Sequence, residues 1–128
     1  MKSVSPPESK HALDIDGLRA PDVTFWTMRD DGELVGCAAL KALDSAHAEI
    51  KSMRTSAEHR GRGVGAALLA HLLSEARSRG FRRVSLETGS MGYFAPARAL
   101  YLKFGFGYCE PFAGYKHDPH SVFMSKAL

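Results

Sequence analysis

A glycine-rich loop that runs directly into a helix constrains this chain more than any other feature. Residues 60–66 read Arg-Gly-Arg-Gly-Val-Gly-Ala, and apolar residues then recur at helical spacing up to Ala76. Because glycine has no Cβ, such a loop lets backbone N–H groups approach a ligand closely, and the helix dipole adds about half a positive charge there. The loop therefore predicts a binding site for a phosphate or pyrophosphate. The alternative interpretation is a flexible basic surface loop.

The sequence on both sides of this loop predicts one sheet flanked by helices. Alternation and turn signals indicate strands, whereas one apolar stripe ending at Gly80 and a second opened by Pro96 indicate helices. Hairpins early and helical crossovers late imply a mixed, mostly antiparallel sheet, an α/β (α+β) fold. The predicted strands cover residues 23–28, 33–40, 47–55, 83–88, 106–112 and 121–126, and the predicted helices cover residues 64–79 and 95–104.

Length and composition fit one ordinary soluble domain. The chain has 128 residues, of which 45% are hydrophobic and 24% charged, so we expect a single domain over residues 1–128 whose first 22 residues are weakly defined. No apolar stretch approaches the roughly 20 residues of a membrane span, and no signal-peptide core is visible, so we expect a cytoplasmic protein without a membrane partner. A net charge of +3 suits an anionic ligand but is too small to argue for nucleic acid.

The cysteines and histidines do not indicate a metal site. Cys37 and Cys109 are far apart in sequence and show no CxxC or Cys/His spacing, so we expect two reduced, buried thiols. The run His-Asp-Pro-His at residues 117–120 contains metal-binding residue types. A proline-containing turn explains it better, and we expect no metal.

The glycines fit nucleotide-binding motifs poorly. A dinucleotide fingerprint can be forced onto Gly61-x-Gly63-x-x-Ala66, with Glu87 as the ribose-binding acid. Three features count against it: residues 56–59 separate the motif from the strand, the preceding strands form hairpins, and no second nucleotide-binding half follows. A P-loop does not fit, because no Gly-Lys-Ser/Thr follows the glycines.

The loop is instead similar to a coenzyme A signature. Arg-x-x-Gly-x-Gly-Ala over residues 60–66, after a strand and before an amphipathic helix, resembles the acyl-CoA loop of the GNAT superfamily of N-acetyltransferases. Met-x-Thr at residues 53–55 resembles the end of that family's fourth strand, whose backbone pairs with the pantetheine arm. Ala-x-x-Leu-Tyr-x-x-x-Gly-Phe over residues 97–106 resembles its other recurrent motif, a helix that carries a tyrosine and ends in Gly-Phe.

The resemblance implies a GNAT-like fold from about Val23 onward and an acetyltransferase activity. Acetyl-CoA would donate its acetyl group to a primary amine of a small molecule or peptide. We expect direct transfer in a ternary complex, because no cysteine or serine has a convincing nucleophile setting. The resemblance also implies which residues bind the cofactor: Met53, Arg54, Thr55, Arg60, Gly61, Arg62, Gly63, Val64, Gly65, Ala66 and Arg98.

Glu49 is the candidate general base. It lies on the strand that enters the loop, eleven positions before the loop's first arginine, an offset that resembles the base of the histone-acetylating branch of the superfamily. Alternation along this strand predicts that Glu49 and Met53 share the face opposite Ala48 and Ile50. The alternative is a solvent-facing strand glutamate paired with a neighbouring basic residue.

Tyr101 is the candidate general acid for the departing thiolate, as its match to the family's tyrosine implies. A phenol with a pKa near 10 can protonate a thiolate of similar basicity. The alternative is a tyrosine that only packs between helix and sheet. A strand N–H around Met53 and Arg54 would meet the oxyanion, because a splayed sheet leaves such groups unpaired.

The acceptor side is less well defined by the sequence. None of the 22 residues before Val23 reads as a good first strand, although GNAT members usually begin with one. A missing strand would leave a sheet edge open, which predicts a homodimer. This chain also has Phe94 where many members carry asparagine. Six residues are candidates for the acceptor pocket, with simple packing as the alternative for each: Trp26, Met91, Tyr93, Phe94, Tyr115 and His117.

Three further interpretations stay open at this point. A non-catalytic acyl-CoA-binding or regulatory module predicts cofactor binding without turnover. A nucleotide-binding protein predicts binding of NAD or ATP in place of coenzyme A. A basic RNA-binding domain predicts steep salt dependence and no thioester binding, although no aromatic residues accompany the arginines.

Overall fold

The computed structural model describes residues 2–5, 22–56 and 63–128. Within these ranges seven strands form one sheet in the order β1-β2-β3-β4-β5-β7-β6, and two helices and a 3₁₀ turn complete the fold. The predicted mixed, mostly antiparallel sheet flanked by helices is confirmed. The elements are β1 (Lys2–Ser5), β2 (Val23–Asp30), β3 (Glu33–Ala42), β4 (His47–Thr55), α1 (Val64–Ser78), β5 (Arg83–Gly89), the 3₁₀ turn (Gly92–Phe94), α2 (Ala95–Lys103), β6 (Gly107–Cys109) and β7 (Ser121–Ala127).

A first strand precedes the predicted hairpin. β1 pairs antiparallel with β2, from Lys2 opposite Asp30 to Ser5 opposite Thr27. The expectation that this strand is missing is therefore wrong. An edge strand is bonded to one neighbour through its backbone, so it does not need the apolar alternation that identifies inner strands. The homodimer was expected because β2 would present an open sheet edge. β1 covers that edge within the same chain.

β6 is shorter than predicted. It covers Gly107–Cys109 rather than residues 106–112, because Pro111 has no N–H to donate to a neighbouring strand. Both cysteines are free, as predicted. The expectation that both are buried is wrong: Cys37 is only partly buried, and Cys109 is exposed because β6 lies at the edge of the sheet.

The parallel pairing of β4 with β5 is short. Partners run from His47 opposite Arg83 to Ile50 opposite Leu86, after which β4 continues to Thr55 with β3 as its described partner. On its other side, β5 stays paired with β7 along its whole length. β4 and β5 therefore separate beyond Ile50, and the sheet opens in its middle.

A β-bulge in β4 lies at the same place. The register shifts by one residue between Cys37 and Ala39 of β3, and Ser52 takes a left-handed φ of 56°. The extra residue on β4 reverses the faces of the strand beyond it. Met53 accordingly packs against the helix-side core. The prediction that Met53 shares a face with Glu49 is wrong for this reason.

The apolar face of the sheet packs against α1. Leu68, Leu69 and Leu72 of this helix are fully buried, which stabilises the fold by roughly 1.5–3 kcal/mol for each side chain. Trp26 meets the ring of His71 edge to face, with 5.3 Å between centroids. Trp26 is therefore part of the core and does not line an acceptor pocket. Among the described residues, no helix has the length and apolar character needed to cross a membrane.

Gly36 on β3 sets how closely α1 approaches the sheet. A Cβ at this position would lie 2.9 Å from the carbonyl oxygen of Arg54, 2.9 Å from Cδ1 of Leu68 and 3.0 Å from Cγ1 of Val64. Such distances are shorter than normal van der Waals contact, so the present packing accepts only glycine. Because Val64 is the first residue of α1, this close approach also fixes the N-terminus of the helix against β4.

Replacing Gly36 by alanine is expected to lower the free energy of unfolding by about 1–3 kcal/mol, the usual cost of overpacking. Gly107→Ala is the matched control, because a Cβ there meets nothing within 4 Å. Urea denaturation of both variants measures the difference. Equal stability of the two would show that α1 has room to move away from β3.

Candidate functional site

The separated end of β4 offers backbone N–H groups to a ligand. The N–H of Ser56, just after the strand, donates to the carbonyl oxygen of Val35 on β3 at 2.9 Å. Successive N–H groups of a strand point to opposite sides. Those of Thr55 and Met53 therefore point away from β3, into the gap between β4 and β5. Two predicted cofactor-binding residues thus lie at this opening.

The N-terminus of α1 lies beside the opening, and the N–H groups of its first turn have no partner within the helix. Gly63 precedes the helix with a φ of 80°, no described side chain caps the helix, and its first turn holds no acidic residue. A Cβ at Gly63 would meet no atom of the described residues within 4 Å. A Cβ at Gly65 would lie 3.2 Å from Cδ2 of Leu100 and 3.8 Å from Oγ1 of Thr55. β4, α1 and α2 therefore converge at this point.

The predicted cofactor set is partly assembled by this convergence. Met53 and Thr55 contribute the strand end, and Gly63, Val64, Gly65 and Ala66 form the start of α1. The remaining loop residues, Arg60, Gly61 and Arg62, lie outside the described residues.

Arg98 and Arg54, the two other predicted cofactor-binding residues, interact with other residues of the protein. Nη1 of Arg98 donates to the carbonyl oxygens of Gly89 at 2.6 Å and Met91 at 2.9 Å, which joins the end of β5 to the segment before α2. Arg54 is exposed and lies beside Cys37. Burial raises the pKa of the Cys37 thiol, and the positive charge of Arg54 offsets part of that rise. Contact of Arg98 with a phosphate and cofactor binding by Arg54 stay predictions.

Phe94 packs at the position where the resemblance to GNAT proteins implies asparagine in many members. Its ring lies against Gly89, at a place that a Cβ on that residue would overlap. Tyr93 meets the Phe94 ring edge to face at 5.0 Å between centroids. Phe94 therefore stabilises the junction between β5 and α2, and glycine at residue 89 makes room for it.

Tyr101 is buried on α2. It is 6% exposed, and its ring meets Phe106 at 5.7 Å between centroids. Burial raises its pKa to about 12, because a phenolate would lose the solvation that water provides. The hydroxyl therefore stays protonated at neutral pH and can donate a hydrogen bond.

Glu49 is buried on the face of the sheet opposite Ile50. It is 3% exposed, and its Oε2 accepts a hydrogen bond of 2.7 Å from the Tyr115 hydroxyl. The alternative of a solvent-facing strand glutamate is therefore wrong. Because Ile50 is the last β4 residue paired with β5, Glu49 lies at the start of the opening.

Aromatic rings pack around Tyr115. The centroids of Phe112, Tyr115 and Phe123 are 5.4, 5.5 and 5.9 Å apart. Burial raises the pKa of Tyr115, and the hydrogen bond and charge of Glu49 and the charge of Glu87 raise it further. The sequence named Tyr115 as a pocket candidate but did not indicate Phe112 or Phe123, because their proximity depends on the pairing of β4, β5 and β7.

A chain of hydrogen bonds runs across the same face of the sheet. His47 Nε2 lies 2.6 Å from Ser85 Oγ, which lies 3.1 Å from Ser125 Oγ. Arg83 Nη1 donates to Ser125 Oγ at 2.6 Å. Ser85 is 1% exposed. These residues come from three strands, so no local sequence pattern could have indicated them.

His117 has an exposed partner of its own. Its Nε2 lies 3.1 Å from Oε1 of Glu110, and both side chains are largely exposed. Asp118 Oδ1 accepts a hydrogen bond of 2.7 Å from the His120 N–H, as the predicted turn requires. In the part of the chain that the structure describes, no three His, Cys, Asp or Glu side chains come together as a metal site would require.

Similarity to known proteins identifies the family. A sequence model of the acetyltransferase (GNAT) family matches residues 2–106. The chain belongs to the GNAT acetyltransferase family. The general reaction of this family is acetyl-CoA-dependent N-acetylation.

Relatives that align over nearly the whole chain are acetyltransferases by name. The uncharacterised N-acetyltransferase YsnE of Bacillus subtilis is 59% identical over 128 residues, which cover 100% of this chain and 85% of that protein. An IAA acetyltransferase of Azospirillum brasilense is 42% identical over 125 residues, which cover 96% of this chain and 80% of that protein. With GNAT relatives this similar, the chain is an acyltransferase.

Solved GNAT structures share the fold. A proposed acyl-CoA N-acyltransferase of Klebsiella pneumoniae matches with a TM-score of 0.89 and 32% identity, covering 100% of this chain and 98% of that one. A GNAT family acetyltransferase of Elizabethkingia anophelis, solved with acetyl-CoA bound, matches with a TM-score of 0.81 over 99% and 98% of the chains. At 15% identity, this second likeness concerns the fold alone.

The buried Tyr101 predicts a loss of stability in alkali. Above pH 10 the unfolded chain releases this proton, whereas the folded GNAT domain holds it until about pH 12. The folded state then binds more protons, so the free energy of unfolding falls by about 1 kcal/mol from this group between about pH 9 and pH 11. Urea denaturation of Tyr101→Phe should show a correspondingly smaller fall than Tyr108→Phe, whose tyrosine is exposed. An equal fall in both variants would contradict the prediction.

Proposed function

We propose that this GNAT enzyme transfers the acetyl group of acetyl-CoA directly to a primary amine within a ternary complex. The observation that carries the proposal is the gap between β4 and β5 beside the uncapped N-terminus of α1. Strand N–H groups and helix N–H groups are thereby brought next to each other. A ligand with an extended amide-containing arm and a pyrophosphate complements both sets of donors.

Acetyl-CoA would use both sets of donors. Its pantetheine arm carries amide groups that can pair with a strand, so the N–H groups of Met53 and Thr55 suit it. Its pyrophosphate suits the N–H groups of Val64, Gly65 and Ala66 together with the helix dipole. The arginines of the preceding loop are expected to add charge-assisted hydrogen bonds.

The acceptor amine must lose a proton before it attacks. A lysine-like amine with a pKa of about 10.4 is neutral in only about one molecule in 2,500 at pH 7, which corresponds to about 4.6 kcal/mol. Glu49 lies at the start of the opening, and it takes this proton directly or through a water molecule. The amine nitrogen then bonds to the thioester carbon.

The tetrahedral intermediate breaks its C–S bond and releases the thiolate of coenzyme A. An unpaired strand N–H near Met53 stabilises the oxyanion. Burial raises the pKa of Tyr101 to about 12, well above the roughly 8.5 of a simple thiol, so full proton transfer from it would cost about 5 kcal/mol. Tyr101 therefore serves as a hydrogen-bond donor to the thiolate, and the thiolate takes its proton from solvent.

The proposed partner on the acceptor side is a small-molecule or peptide amine. The carboxylate of Glu49 and the rings of Phe112, Tyr115 and Phe123 support it, since they combine a charged group with apolar surface. Action in the cytoplasm, without a nucleic-acid or membrane partner, is part of the proposal. The homodimer stays a prediction that light scattering tests.

Gly65→Val is expected to weaken acetyl-CoA binding at least about tenfold, a loss of about 1.4 kcal/mol, because its methyl groups would enter the space between Leu100 and Thr55. Ala70→Val, on the exposed side of the same helix, controls for the low helix propensity of valine. Calorimetric titrations with acetyl-CoA, CoA and NADH measure the affinities. Equal affinity of the two variants, or binding of NADH alone, would contradict the proposed site.

Tyr101→Phe is expected to lower kcat by about tenfold or more and to leave CoA affinity unchanged, because a hydrogen bond to a charged group is lost. Thiol release with a panel of primary amines measures turnover. An unchanged kcat would show that Tyr101 only packs. Binding of acetyl-CoA without turnover on any amine would favour the non-catalytic acyl-CoA-binding module.

A further inference from the structure

The contact between Tyr115 and Glu49 has a consequence for the reaction. We propose that Tyr115 is a positioning residue, whose hydroxyl fixes the carboxylate of Glu49 at the opening between β4 and β5. This inference rests on the proposed function, in which Glu49 accepts the proton of the acceptor amine. Tyr115 acts through Glu49 and is not itself a catalytic residue.

The burial of Glu49 makes a hydrogen-bond donor necessary. A carboxylate that is 3% exposed has lost most of its water, which is strongly unfavourable for the ionised form unless other donors replace it. The Tyr115 hydroxyl donates to Oε2 at 2.7 Å, and a hydrogen bond to the charged form favours that form. Because Oε2 is engaged, Oε1 is the oxygen that can take a proton without breaking this bond.

A tight turn holds the Tyr115 ring in place. Its N–H donates to the carbonyl oxygen of Phe112 at 2.9 Å, and the two residues between them, Ala113 and Gly114, have φ values of 50° and 84°. Positive φ at both central positions is the pattern of a type I′ turn. The turn sets Phe112 and Tyr115 side by side against Phe123. The hydroxyl therefore reaches Glu49 from a ring that packs against two other rings and is 37% exposed.

Other charged groups share this face of the sheet. Lys41 on β3 is the register partner of Glu49, His47 lies two residues earlier on β4, and Glu87 lies on β5. Besides burial, the carboxylates of Glu49 and Glu87 oppose the loss of the Tyr115 proton. The hydroxyl accordingly remains a donor to Glu49 throughout the neutral pH range.

Tyr115→Phe removes the hydroxyl and keeps the ring, and Tyr108→Phe on the exposed strand β6 is the matched control. The pH dependence of kcat/KM for an amine acceptor reports the ionisation of the base. In Tyr115→Phe the acid limb of this profile is expected to move up by about one pH unit or more, since a hydrogen bond to a charged group contributes roughly that much. The KM for acetyl-CoA should stay unchanged.

The outcomes separate this inference from the proposed function. If the wild-type enzyme acetylates amines and the acid limb is the same in Tyr115→Phe and Tyr108→Phe, the positioning role is overturned. The acetyltransferase function is then left intact. A wild-type protein that binds acetyl-CoA and acetylates no amine overturns the proposed function, and with it a role of Tyr115 in the reaction.

A second measurement does not require turnover. NMR of the carboxyl carbons follows the protonation of Glu49, whose signal is assigned by its loss in Glu49→Gln. The midpoint of this titration is expected to rise by about one pH unit or more in Tyr115→Phe and to stay unchanged in Tyr108→Phe. The same midpoint in both variants would overturn the inference, whatever the kinetics show.

Discussion

The separation of β4 from β5 is the constraint on which the rest of the structure depends. It begins after Ile50, where the parallel pairing ends, and the bulge at Ser52 changes the course of β4 at the same point. On the helix side, Gly36 lets α1 approach β3 so closely that its N-terminus lies against the freed strand. Unpaired backbone N–H groups are unfavourable, so a ligand that accepts their hydrogen bonds replaces the bonds that β5 would otherwise make with β4.

Burial disfavours the charged form of both groups proposed for the chemistry, and what distinguishes them is the hydrogen bond that one of them receives. Tyr101 is buried among apolar side chains, so it keeps its proton and can only donate a hydrogen bond. Glu49 is equally buried, but its carboxylate accepts a hydrogen bond from the Tyr115 hydroxyl. The two groups thus meet the opposite needs of acyl transfer, one stabilising a leaving thiolate and the other accepting a proton from an amine.

Local sequence patterns predicted what depends on neighbours in the chain. Both helices, the inner strands and the glycines at the start of α1 follow from periodicity and from turn chemistry. The failures come from longer-range geometry. β1 is defined by its bonds to β2, the face of Met53 is set by a bulge, and Tyr115 reaches Glu49 across 66 positions in the sequence. Such contacts depend on the pairing and register of strands, which local sequence patterns do not reveal.

Hydrogen exchange of individual backbone amides, with and without saturating acetyl-CoA, tests the central claim most directly. If acetyl-CoA occupies the gap, exchange slows at Met53 and Thr55 and in the first turn of α1. The amide of Ser56, which already bonds to Val35, should change little. Slower exchange elsewhere, with Met53 and Thr55 unaffected, would contradict the assignment of the gap as the acetyl-CoA site.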